Sequence, residues 1–201
     1  MNQLFYSCKK LTSIDLSNFE TSSVTNMRET FSQCESLLSL DLSKFNTQNI
    51  EDMYDMFAYC YNLTSISLSN FNTAKVKTMQ GMFYNCKKLK HLNISNFDSS
   101  SLINANAMFA ECYSLSYLNL FKIEIKSGTD YGWIFGNTSP NLKICIDDFE
   151  TIQFLYSLGN NFNYMKIELK QNKCVEYCNE SEYKYEYNNF FIMNAHMRLM
   201  H

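Results

Sequence analysis

The chain has 201 residues and a net charge of −3, with 17 basic against 20 acidic side chains, so it lacks the basic excess that binding to nucleic acid or an anionic lipid surface calls for. No run of about 18 apolar residues predicts a membrane-spanning helix, and the first residues lack the basic-then-apolar order of a secretory leader. With 5 glycines and 1 proline, turns must be made by Asn, Ser, Thr and Asp.

A 26-residue frame begins within the first residues. Phe5, Phe31, Phe57, Phe83 and Phe109 share one register, and Leu11, Leu37, Leu63, Leu89 and Leu115 share another. Two strand positions follow: Ile14, Leu40, Ile66, Leu92 and Leu118, then Leu16, Leu42, Leu68, Ile94 and Leu120. Phe19, Phe45, Phe71 and Phe97 come next, with Ile123 in the fifth copy. Val24, Ile50, Val76 and Leu102 precede Met27, Met53, Met79 and Ala105. Self-similarity at a fixed period of this size marks a repeat array, in which one unit cannot bury its apolar face alone and must stack on its neighbours.

Within each unit the period changes. Leu11-x-x-Ile14-x-Leu16 ends in alternation and predicts a short strand. Met53, Met56, Phe57 and Cys60 are spaced i, i+3, i+4, i+7 and predict a two-turn helix. Polar links such as Asn72-Thr73-Ala74-Lys75 join the two. The fifth unit loosens around Gly128, Gly132, Trp133, Gly136 and Pro140, with one residue inserted before the strand Leu142–Ile146. Asp147 and Glu150 are spaced as a capping box and predict a helix that stops at Gly159-Asn160. Residues 164–170 alternate and predict a final strand. The expected organisation is an array over 1–146 (five clear coils and one degenerate), a C-terminal cap over 147–170, and a tail over 171–201 in which Cys174 and Cys178 open a cysteine-containing module. With no cap before the first unit, Leu4, Phe5, Cys8 and Leu11 would be exposed at its edge, which suggests part of a longer array.

Cys8, Cys34, Cys60, Cys86 and Cys112 also recur every 26 residues, with no C-x-x-C pair and no His at ligand spacing. Buried thiols that behave as small apolar groups are expected, ahead of stacked disulfides or a metal.

The pattern Phe-x-x-Cys-x-x-Leu-x-x-Leu-x-Leu-Ser-x-Phe, followed by Thr-x-x-Val-x-x-Met, resembles the BspA-type leucine-rich repeats of bacterial and protist surface proteins. The segments MFYNCKKLKHLNISNF (82–97) and LTSIDLSNFETSSVTNM (11–27) carry the likeness, which covers roughly residues 4–146. It implies an α/β leucine-rich-repeat solenoid of about 26 residues per coil, with a parallel sheet on the concave face and short helices on the convex face. The Asn ladder of ordinary leucine-rich repeats is broken here: the nearest position reads Asn18, Lys44, Asn70, Asn96, Lys122. The resemblance also implies a non-enzymatic adhesion role at the cell surface or outside the cell.

No constellation for catalysis is present: His91 is the only His of the array, and Asn93 and Ser95 beside it supply no nucleophile pair. Outward strand positions would line the concave face as Ser13, Asp15, Ser17; Ser39, Asp41, Ser43; Ser65, Ser67, Ser69; His91, Asn93, Ser95; Tyr117, Asn119, Phe121. The candidate binding residues are Asp15, Asp41, His91, Asn93, Tyr117, Asn119 and Phe121. Tyr117 and Phe121 fit either a partner anchor or packing under the cap. The Asp15–Asp41 pair is too small a ligand set for Ca²⁺ and fits a solvated polar face. Sequons at Asn62, Asn93, Asn137 and Asn179 are open to glycosylation, and a glycan on Asn93 would block that face. The expected function is recognition of a protein or glycan on another cell or matrix, with no cofactor and no metal, by a monomer or a piece of a longer array. The alternative is an intracellular or structural scaffold, or a spacer that projects another domain.

Overall fold

The computed structural model describes residues 1–120, 123, 127–146, 151 and 166–169, the last four by their backbone. Six short strands follow in chain order: β1 (Ser39–Asp41), β2 (Ser65–Ser67), β3 (His91–Asn93), β4 (Tyr117–Asn119), β5 (Lys143–Ile146) and β6 (Lys166–Leu169). All pairings are parallel, in a two-stranded sheet β1-β2 and a four-stranded sheet β3-β4-β5-β6. Ser39 pairs with Ser65, His91 with Tyr117 and Tyr117 with Lys143, so the sequence period is also the register of the ladders. Ile144 pairs with Leu118 at the same offset, so the residue inserted before Leu142 is absorbed ahead of β5. Much of the predicted cap helix lies outside the described residues; Thr151 within it is helical and buried.

A second parallel seam runs along the other side of each unit, through single bridges Asn26–Asp52, Asp52–Thr78, Thr78–Asn104 and Asn104–Asp130. Between the two seams lies the core. Phe5, Phe31, Phe57, Phe83, Phe109 and Phe135 form one column with ring centroids 5.2, 5.8, 5.4, 5.9 and 5.4 Å apart and neighbouring planes within 22° of parallel. Each ring from Phe31 to Phe109 thus has an aromatic partner in the unit on either side, a larger dispersion contact than one unit could supply. Met27, Met53 and Met79 form another buried column, which narrows to Ala105 before Tyr131. A cavity of about 20 Å³ remains there, between Met79, Leu102, Met108 and Tyr131.

The helix expected over Met53–Cys60 does not form. Alternate residues instead donate to the next unit: Met53 N–H to Thr78 O at 3.0 Å, Asp55 to Gln80 at 2.9 Å, Phe57 to Met82 at 2.9 Å and Tyr59 to Tyr84 at 2.8 Å. The residues between them close tight turns, Met56 N–H to Met53 O, Ala58 to Asp55 and Cys60 to Phe57. A helix would turn every N–H back along its own axis and leave none for the neighbour. Left-handed residues at Asp55 (φ 48°) and Tyr59 (φ 60°) make the alternation possible. The same two positions are left-handed in every unit, as Gln3 and Ser7, Glu29 and Gln33, Gly81 and Asn85, Ala107 and Glu111, and Trp133 and Asn137. From the second run onward the turns start at a side chain that accepts the N–H two residues on: Asn26 from Arg28, Asp52 from Tyr54, Asn104 from Asn106 and Asp130 from Gly132 at 2.8–2.9 Å, and Thr78 from Gln80 at 3.3 Å.

The ladder of thiols is buried from the second unit onward. Cys34, Cys60, Cys86 and Cys112 are free, and each Sγ donates to the carbonyl of the Phe one unit back, at 3.1–3.2 Å. Burial pushes the thiols up, Cys34 to about 11 and Cys112 to about 12, with Cys60 and Cys86 also well above the ordinary range. Cys8 is free and exposed. Cys145, buried in β5, is disulfide-bonded. Alkylation of the native chain followed by peptide mass spectrometry should therefore label Cys8 within minutes and leave Cys34, Cys60, Cys86 and Cys112 protected until denaturant is added. Equal labelling of Cys8 and Cys60 in the native state would contradict a stable stack.

In the first unit Leu4 is exposed, and Phe5 and Leu11 are half-buried.

Candidate interaction surface

The strand face separates into two rows with different roles. One row is Asp15, Asp41, Ser67, Asn93 and Asn119. Asp15 Oδ1 accepts the N–H of Ser17 at 2.9 Å, Asp41 that of Ser43 at 2.9 Å, and Asn93 that of Ser95 at 3.1 Å. These bonds turn the chain at the end of each strand segment. They hold the carboxyls of Asp15 and Asp41 below the usual range, because the ionised form is the better acceptor. Asp15, Asp41 and Asn93 are exposed, but their side-chain oxygens are engaged in local turns. Asn119, expected to face outward, is 2 % exposed and belongs to the interior. Its neighbour in the row, Cys145, is buried as well, so the face is covered at β4 and β5.

The other row is Ser13, Ser39, Ser65, His91, Tyr117 and Lys143. His91 is exposed, and Tyr117 and Lys143 are half-buried. Phe121 lies outside the described residues. The row changes character where the sheet divides, since β1-β2 carry serines and β3-β4-β5 carry His, Tyr and Lys. Of the predicted site residues, His91 and Tyr117 are thus brought into register, while the other described ones serve turns or packing.

A polar ladder that the sequence reading had not assigned ties the units together. Thr47, 1 % exposed, donates its hydroxyl to Asn72 O at 3.0 Å and accepts Asn72 N–H at 2.7 Å. Thr21 does the same with Asn46, and Thr73 with Asp98. The signal was the Thr of Thr-x-x-Val-x-x-Met, at one fixed place in the frame. The interrupted Asn position still contributes where Asn is present: Asn70 Nδ2 donates to Ser43 O at 2.6 Å, and Asn96 Nδ2 to Leu68 O and Phe71 O.

One carboxylate stands apart on the turn side. Asp55 lies over Gly81, where a Cβ would collide with Asp55 Oδ1. Burial, and then the charge of Glu29 one unit back, raise its carboxyl to about 6. A folded-state value above the unfolded one means that ionising Asp55 opposes folding, so its penalty grows as pH rises from about 4 through 6 and stays above that. Asp55→Asn should therefore raise the melting temperature at pH 7.5 and change it little at pH 4. Equal shifts at both pH values would show that charge is not the cause.

Among the described residues no group of three or more potential ligands could hold a metal, and no helix is long and apolar enough to cross a membrane. A family model described as "Mycoplasma protein of unknown function, DUF285" matches residues 1–118, more than half of the chain. No curated protein and no solved structure matches it.

Proposed function

The chain belongs to the DUF285 family, whose function is unknown, and we propose that it is a non-enzymatic recognition module of a cell-surface protein. In this reading the stacked parallel units are a leucine-rich-repeat solenoid of BspA type. The strand face is then the concave surface, and it meets a protein or a glycan. The observation that carries the proposal is the row His91–Tyr117, which departs from the serines of the earlier units. Groups that serve only stacking recur in every unit, as the Phe and Thr columns do. His91 breaks the repeat at an exposed place, where a ligand can reach it.

The test replaces His91 and Tyr117 by the serine that the first three units carry. Adhesion of beads coated with the full chain to cells or matrix should fall. Tyr117→Ser should cost less than about 1.5 kcal/mol of stability, the range of partly buried surface positions. A loss of several kcal/mol would make Tyr117 a core residue and remove it as an anchor. Unchanged adhesion with both residues replaced would favour the second reading, an array that only spaces another domain.

A further inference from the structure

We propose that the edge of the fourth unit, continued along the outward row, binds an acidic polysaccharide; this rests on the recognition reading above and names its ligand class. Lys87, Lys88, Lys90 and His91 fall within five residues, and all four are exposed. The ion pairs among the described residues are Lys9–Glu35, Arg28–Glu29 and Lys77–Glu51, so among those residues none of these three lysines holds a carboxylate. The equivalent positions are Tyr61, Asn62, Thr64 and Ser65 in the unit before, and Tyr113, Ser114, Ser116 and Tyr117 in the unit after. Neither set contains an acid. A chain of net charge −3 thus concentrates lysines at one place, with no carboxylate paired to them among the described residues.

The register extends the charge. His91 pairs with Tyr117, and Tyr117 with Lys143. At about 4.8 Å per strand the row runs for about 10 Å. The same row reads Ser13, Ser39 and Ser65 in the first three units, where Asp15 and Asp41 lie alongside. An anionic ligand is therefore drawn to the half of the sheet that starts at β3.

Two features favour a polysaccharide over an acidic peptide. Cations alternate with rings: Tyr117 stands next to Lys143 in the row, and Lys87 Nζ lies 4.7 Å from the centroid of the Tyr61 ring. That alternation suits a polymer in which flat sugar faces recur between carboxylates or sulfates. An extended peptide repeats its side chains on one face about every 6.8 Å, out of step with a row at about 4.8 Å. The cations are lysines, point charges that accept an anion from many directions, where arginines would fix a bidentate geometry.

The experiment measures binding of the full chain to immobilised heparin, with neutral dextran and poly-glutamate as comparisons, at low and physiological salt. Heparin should be bound and dextran ignored, with poly-glutamate about tenfold weaker and heparin binding falling as salt rises. The triple variant Lys87→Ala, Lys88→Ala, Lys90→Ala should lose about tenfold in heparin affinity while keeping its melting temperature, because all three side chains are exposed. Asp15→Asn with Asp41→Asn should keep it. Equal heparin binding by the triple variant, or poly-glutamate binding as tightly as heparin, would overturn the polysaccharide assignment. A chain that ignores heparin yet adheres through Tyr117 would overturn it and leave the recognition reading standing. Heparin binding that no strand-face substitution alters would overturn both.

Discussion

Replacing Phe57 by Ala should cost about 3–5 kcal/mol, enough to unfold a large part of the chain at moderate denaturant. Phe57 is fully buried and sits between Phe31 and Phe83, at 5.8 and 5.4 Å. Its removal opens a cavity and deprives both neighbouring rings of a stacking partner. Neither side can collapse to fill the gap, because the backbone seams hold the units apart at strand spacing. The end of the column provides the control. Phe5 is half-buried and has a stacked ring on one side only, so Phe5→Ala should cost about 1–2 kcal/mol. Urea denaturation of the two variants measures the difference. Equal costs would show that the column is not a cooperative stack.

Thr47→Val should be nearly as harmful, although it changes neither volume nor shape. The hydroxyl of Thr47 meets both the C=O and the N–H of Asn72, and Val would leave both without that partner. Each group deprived of its bond costs about 1–3 kcal/mol when water cannot reach it, and Asn72 is partly wetted, so a loss of about 2–4 kcal/mol is expected. Thr47→Ser keeps the hydroxyl and should recover most of the loss, apart from one methyl. A cost below about 1 kcal/mol for Thr47→Val would mean that water replaces the hydroxyl and that the Thr column does not hold neighbouring units together.

The columns were legible in the sequence because burial acts on side-chain type, and stacking repeats the same burial at one interval. Phe, Leu and Cys at fixed places in the frame could therefore be assigned to the interior before any coordinates. The strands at Leu40, Ile66 and Leu92 were legible for the same reason. The convex helices were not, because Met53, Met56, Phe57 and Cys60 have a spacing that two mechanisms produce. A helix repeats its face every 3.6 residues, and two successive four-residue turns repeat theirs every four. The distinguishing mark is the left-handed residue, which sequence reveals only where it is Gly81, Asp55, Asn85 or Asn137. Glu29, Ala107 and Trp133 occupy the same conformation and hide it, at about 1 kcal/mol each relative to a relaxed backbone.

The candidate surface was only half legible. Alternation along a strand correctly set Asp15, Asp41, His91 and Asn93 outward. It could not tell a side chain that awaits a ligand from one that bends its own backbone. Ser17, Ser43 and Ser95 donate to Asp15, Asp41 and Asn93, and such a local bond leaves no trace in the hydrophobic period. Asn119 departs for a different reason: it is covered at a place in the sheet where Cys145 is buried too, and the 26-residue frame carries no information about what lies across a face.

The 26-residue register also governs how fast such a chain can find its structure. The inter-unit hydrogen bonds join residues about 25 positions apart, whichever unit they belong to. Sequence separation stays constant as units are added, so relative contact order falls with array length, and for this chain the seams alone give roughly 25/201, about 0.12. Folding can begin at any adjacent pair and zip in both directions, with the same loop-closure entropy at each step.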